Sequence, residues 1–213
     1  MIAVMAGTPI DTKMGLDILE KEGYQAKGYP ISKTSEQQSN LQILYPENLQ
    51  KIVIEKIQSI KQENIKNIFV YCNSLSGAVN MDKLSKEYDI HIITPLQIYK
   101  EVGRKYKRVA VLAANNQSTF AIERVITEKS SSTHVIGIGL LPLVTAIEEK
   151  KSPKEIIKSF ALENVLKFFL QLDCQALILG CTHFPYFYHE LKKISQIPII
   201  DPSYEMIKRI KVD

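Results

Sequence analysis

Ile68-Phe69-Val70-Tyr71-Cys72-Asn73-Ser74 and Ala176-Leu177-Ile178-Leu179-Gly180-Cys181-Thr182-His183 are two versions of one pattern, one in each half of the chain. Each is a short apolar run that ends at a cysteine. Each then turns abruptly to small polar residues, which suit a tight turn and a helix start. Two such strand-thiol-turn units within 213 residues imply two α/β lobes of about 100 residues, each presenting one thiol.

Outward from these two stretches, apolar runs alternate with amphipathic ones along nearly the whole chain. Strands are expected at Ile2–Ala6, Tyr24–Gly28, Ile68–Tyr71, His91–Ile93, Val109–Leu112, His134–Gly137, Ala176–Leu179 and Ile197–Ile200. They are short and rich in β-branched residues, as strands covered by helices on both faces are. Helical periodicity fills Thr12–Lys21, Asn48–Gln62, Leu96–Tyr106, Gln117–Lys129 and Pro153–Leu172. The fold class is therefore α/β, with two pseudo-symmetric lobes, each a mainly parallel sheet flanked by helices, and an active site in the cleft between them. The pattern breaks at Thr94-Pro95, which divides the chain into a first lobe (1–94) and a second (95–190). The remainder (191–213), a strand followed by a helix over Tyr204–Lys211, is expected to return to the first lobe.

Composition narrows the function. Hydrophobic residues make up 45% and charged residues 23%, with a net charge of +4. That is ordinary for a globular protein and too mild to imply nucleic acid. The dense basic stretch Lys100–Arg108 reads as a solvated helix end, where cations complement the negative pole of the dipole. No apolar run nears the roughly 18 residues needed to span a bilayer. Met1-Ile2-Ala3-Val4-Met5-Ala6 shows no basic leader or cleavage pattern and reads as a first strand, so a cytoplasmic protein without membrane or nucleic-acid partners is expected. Of the three cysteines, Cys174 ends a helical pattern and reads as a small buried hydrophobe. Cys181 and His183 lack the companions of a four-ligand metal site, so no metal is expected.

In open α/β sheets, ligands sit beyond the carboxyl ends of the strands, where Cys72 and Cys181 fall. A thiol at the amino end of a following helix is favoured as thiolate by the dipole. Asn73, Ser74 and Ser76 after one thiol, and Thr182 and His183 after the other, are poor core fillers. His183 either tunes Cys181 and protonates a substrate group, or closes its turn. Asp11 reads either as the N-cap of the first helix or as a carboxylate at the mouth of the cleft. Asn115, Ser118 and Thr119 bind a carboxylate or cap a helix; both readings fit. His91 and His134 begin strands and read as structural, and His189 as exposed. Two thiols facing one carbon from opposite sides would move a proton from one face to the other.

Cys72-Asn73-Ser74 with Ser76 resembles the first active-site motif of the aspartate/glutamate racemases, usually Cys-Asn-Thr. Leu179-Gly180-Cys181-Thr182-His183-Phe184-Pro185 resembles their second, a longer and more specific match. Leu141-Pro142-Leu143-Val144 and Ile200-Asp201-Pro202-Ser203 are similar to further segments of that family, in the same order. The resemblance implies cofactor-independent racemisation of an acidic amino acid, glutamate or aspartate, with homodimers frequent. It makes Cys72 and Cys181 the acid/base thiols, with His183 assisting Cys181 and Asp11 the nearest candidate to assist Cys72. Asn73, Ser74 and Thr182 would hold the substrate. The chain departs from the family at Gly7-Thr8-Pro9-Ile10-Asp11, in place of a glycine-rich Asp-Ser-Gly segment. It departs again at Pro30-Ile31-Ser32, in place of Pro-Tyr-Gly, which leaves the substrate's side chain open. Other readings are a same-fold isomerase or racemase of another small acid, of maleate or hydantoin type, and a non-catalytic two-lobed binding protein.

Overall fold

A computed structural model describes residues 1–211. Val212 and Asp213, the last of the expected closing segment, lie outside the described residues. The chain divides into two compact units, Met1–Ile98 with the segment from Ser203, and Tyr99–Pro202.

The first unit runs β1 (Ile2–Ala6), α1 (Pro9–Lys21), β2 (Ala26–Pro30), α2 (Ser35–Leu44), α3 (Pro46–Gln62), β3 (Asn67–Val70), α4 (Asn73–Ala78), α5 (Met81–Glu87) and β4 (His91–Ile93). Its four strands are all parallel, in the order β2-β1-β3-β4. The central pair is apolar throughout or nearly so, and every residue of β1 and β3 is buried. Helix α3 shows the complementary pattern: Leu49, Val53, Ile57 and Ile60 recur at steps of four and three and bury one stripe.

After α6 (Pro95–Tyr99) and α7 (Val102–Lys105), the second unit repeats the scheme. It comprises β5 (Arg108–Ala113), α8 (Asn116–Thr127), β6 (His134–Gly139), α9 (Leu141–Glu148), α10 (Pro153–Ser159), α11 (Leu162–Gln171), β7 (Ala176–Gly180), a 3₁₀ turn (Phe184–Phe187), α12 (Tyr188–Ile194) and β8 (Ile199–Ile200). Its parallel sheet has the order β6-β5-β7-β8. Substituting β5, β6, β7 and β8 for β1, β2, β3 and β4 reproduces the first sheet, so both thiol-bearing strands occupy the same inner position.

All eight expected strands form. Two expected helices are each broken in two. Pro153–Leu172 is interrupted at Ala161, which adopts left-handed backbone (φ 48°), and Leu96–Tyr106 at Lys100-Glu101. The closing segment does not return whole to the first unit. Ile199 and Ile200 pair with Leu177 and Ile178 and give β7 its outer neighbour. Only α13 (Ser203–Ile207) joins the first unit. The chain just beyond it is tied there, with His91 Nε2 donating to the Arg209 carbonyl at 2.9 Å and Asn67 Nδ2 to that of Lys211 at 3.0 Å. No helix among the described residues is long and apolar enough to cross a membrane.

Candidate active site

In the first unit, β1 and β3 lie side by side with Met5 opposite Val70, so the loops that follow them are neighbours. Cys72 leaves the sheet with extended backbone and is the N-cap residue of α4. It is 5% exposed, and its Sγ lies 3.3 Å from Ser74 Oγ. That hydroxyl accepts a hydrogen bond from Gln42 Nε2 at 2.8 Å, which leaves its own hydrogen to turn toward the sulfur. Ser76 donates to the Cys72 carbonyl at 2.7 Å and fixes the turn. Asn73 is 2% exposed, and neither side-chain amide atom meets a partner among the described residues.

Asp11 is not an N-cap residue. Thr8 caps α1, and Asp11 is the reciprocal acid of the capping box three residues on. Its carboxylate accepts from the backbone N–H of Thr8 at 2.6 Å and of Gly7 at 3.1 Å, and from the Thr8 hydroxyl at 2.9 Å. The sequence-based choice between cap and cleft carboxylate missed this arrangement, because the helix starts three residues earlier than its periodicity suggests: Pro9 occupies the first turn.

In the second unit, β5 and β7 pair with Ala113 opposite Gly180. Gly180 is closely covered; a Cβ there would lie 2.6 Å from Ile122 Cδ1 and 3.1 Å from Ala113 Cβ. Cys181, Thr182 and His183 follow, all buried. Cys181 does not start a helix. The chain closes through a turn, with Phe184 N–H donating to the Cys181 carbonyl at 3.1 Å, into the short 3₁₀ segment anchored by Phe184 and Phe187. No α-helix starting at this residue therefore supports the thiol.

An imidazole does instead. His183 Nδ1 lies 3.7 Å from Cys181 Sγ, and its Nε2 lies 3.3 Å from Glu148 Oε1. An ionised carboxylate only accepts, so Nε2 donates to Glu148 and Nδ1 is left facing the sulfur. Glu148 ends α9, where the helix dipole disfavours a negative charge. Its pairing with a side chain that can become cationic offsets that placement. Sequence reasoning missed Glu148; the signal was an acidic Glu148-Glu149 pair at a helix end that usually favours Lys or Arg.

Asn115, Ser118 and Thr119 lie where β5 gives way to α8. Asn115 caps that helix, accepting from the Ser118 N–H at 2.9 Å and hydroxyl at 2.7 Å. Thr119 donates to the Asn116 carbonyl at 2.8 Å and packs over Gly137. Cys174 is buried ahead of β7, at the other end of that strand from Cys181, and burial pushes its thiol pKa up. Of the cations near Lys100–Arg108, Arg104 pairs with Glu101, and Arg108 with Asp173 and the Leu172 carbonyl.

Residues 24–209 match the sequence model of the family described as Asp/Glu/Hydantoin racemase. A glutamate racemase of Limosilactobacillus reuteri (strain DSM 20016) is 25% identical over 170 residues, which is 78% of this chain and 63% of that relative's length. The chain thus spans less than two thirds of that relative. Among solved structures, a glutamate racemase from Francisella tularensis subsp. tularensis SCHU S4, in complex with D-glutamate, superposes with a TM-score of 0.73 at 21% identity, covering 97% of this chain and 77% of that one. An aspartate racemase homologue from Pyrococcus horikoshii OT3 gives 0.69 at 15% identity, covering 97% of both chains. At these identities the structural likeness establishes the fold.

Proposed function

The chain belongs to the Asp/Glu/Hydantoin racemase family, and from that premise we propose that it is a cofactor-independent racemase in which Cys72 and Cys181 act on opposite faces of one substrate carbon. The observation that carries this reading is the equivalence of the two thiols. Each follows the inner strand of a parallel sheet of the same order, and each has its own hydrogen-bonding neighbour.

One thiolate removes the α-proton, and the electron pair passes into the adjoining carboxyl or carbonyl group. The opposite thiol then delivers its proton to the other face; the roles exchange for the other enantiomer. At Cys181, His183 takes the thiol proton through Nδ1 while Glu148 steadies the resulting imidazolium. At Cys72, the Ser74 hydroxyl donates to the thiolate, and Gln42 holds the hydroxyl in place. Asn73 and Thr182 offer hydrogen bonds to the substrate backbone, where negative charge grows in the transition state, and the remaining Ser74 lone pair can accept one from the substrate amino group. The names of the relatives make glutamate the first compound to assay. The cysteines are free among the described residues, a state that suits a reducing compartment such as the cytoplasm, and a homodimer is the assembly the family implies.

The test is turnover in deuterated water. Starting from a single enantiomer, the protein should produce the other with deuterium at Cα, with no added cofactor. Product carrying the original hydrogen, or a requirement for pyridoxal phosphate, would remove the two-base scheme.

A further inference from the structure

Helix α2 buries polar side chains more deeply than apolar ones, of which only Leu41 packs partly against the core. Its buried side chains are Gln38, Ser39 and Gln42, whereas Ile43 and Leu44 are 48% and 61% exposed. A surface helix normally turns its apolar stripe inward, and a local rule broken in an otherwise consistent fold points to a functional surface. Gln38 and Gln42 stand four residues apart, on one face and about one turn from each other. Gln42 reaches Ser74, and through it the Cys72 sulfur. Gln38 lies on Gly7, at the end of the strand beside β3. A Cβ at Gly7 would lie 3.0 Å from Gln38 Cγ, 3.3 Å from its carboxamide carbon and 3.4 Å from Asp11 Oδ2.

Gln38 is 4% exposed, yet neither Nε2 nor Oε1 meets a hydrogen-bond partner among the described residues. The same holds for both amide atoms of Asn73, next to Cys72. Because both ends of each amide are open, exchanging the nitrogen and oxygen assignments changes nothing. A buried polar group left this way is costly unless a ligand or water answers it.

Two carboxamides each present a donor and an acceptor side by side. A substrate carboxylate uses only the donors, leaves its lone pairs against the carbonyl oxygens, and adds negative charge near the buried Asp11. An amide or a cyclic ureide, with N–H next to C=O, satisfies both ends. We propose that Gln38 is a substrate-recognition residue of the Cys72 half-site, and that it selects a neutral amide or cyclic ureide group over a side-chain carboxylate. This rests on the two-base racemase reading and narrows its substrate class.

The experiment follows α-deuterium exchange of L-glutamine, L-asparagine, L-glutamate, L-aspartate and 5-methylhydantoin by the full chain and by Gln38→Leu and the near-isosteric Gln38→Met. The unmodified protein should favour an amide or the hydantoin over the acids by about tenfold or more in kcat/KM. Both variants should lower that ratio at least about tenfold, mainly through KM, with no fall in Tm because an open buried amide is removed. A preference for the acids, or a ratio the variants leave unchanged, overturns the proposal. If no compound exchanges, the racemase reading fails, and calorimetric titration with L-glutamine and L-glutamate decides the role of Gln38. Tighter glutamine binding that both variants lose supports the assignment; equal binding of the two probes overturns it.

Discussion

Cys72 and Cys181 follow equivalent strands, in sheets of the same order, yet the groups beside the two sulfurs differ in kind. Cys181 faces an imidazole that takes or gives a proton, backed by the carboxylate of Glu148. Cys72 faces a hydroxyl that can hydrogen-bond the sulfur but not exchange a proton with it, backed by the carboxamide of Gln42. The sheets fix where a thiol stands; the loops and the helix laid over them decide how its proton is managed. Hydrogen bonds to charged groups contribute roughly 1.5–3 kcal/mol, against about 1 kcal/mol for neutral ones. The two halves should therefore tolerate the loss of their supporting groups unequally.

The largest effects belong to the sulfurs themselves. Cys72→Ala and Cys181→Ala should each lower racemisation by on the order of 10³-fold or more, measured by polarimetry or chiral chromatography, because a two-base reaction needs both partners. Near-normal turnover by either variant would break the symmetry on which the comparison stands.

Next come the supporting groups. His183→Asn should lower kcat by about 10²-fold and Glu148→Gln by about tenfold, whereas Ser74→Ala should cost only a few-fold. The loss at His183 should be greater in the direction where Cys181 removes the proton, read from initial rates with each enantiomer. Equal losses at His183 and Ser74 would mean that the imidazole does no more than a hydroxyl.

The smallest effect on chemistry is expected at Asp11. Its carboxylate ties down Gly7 and Thr8, so Asp11→Asn should lower stability by about 1–2 kcal/mol in urea titration, typical for loss of a helix cap. The change in kcat should be no more than a few-fold. A collapse of activity without loss of stability would instead give Asp11 a direct part in the Cys72 half-reaction.

These contrasts also explain which parts of the molecule could be read from sequence. The strands were legible because buried parallel strands are unbroken apolar runs, such as Ile2–Ala6 and Ala176–Gly180. Both cysteines were legible because polar residues follow them abruptly at strand ends. Helix α2 was not, since its most buried residues are Gln38, Ser39 and Gln42 while Leu41 is only partly buried and Ile43 and Leu44 face outward, which blurs the pattern that periodicity detects. The closing strand was assigned to the wrong unit because a two-residue strand carries no mark of its neighbour. Glu148 escaped because its partner is distant in sequence, and only the fold brings His183 to the end of α9. The residues hidden from sequence are those whose local chemistry runs against the element that holds them.

The most direct test of the central claim uses substrates that reveal a single proton removal. A β-chloro amino acid loses chloride once its α-proton is taken, so one thiol suffices. With β-chloro-D-alanine and β-chloro-L-alanine, chloride release by Cys72→Ala should be confined to one enantiomer and that by Cys181→Ala to the other. Release from both enantiomers by one variant, or from the same enantiomer by both, would contradict the assignment of one thiol to each face.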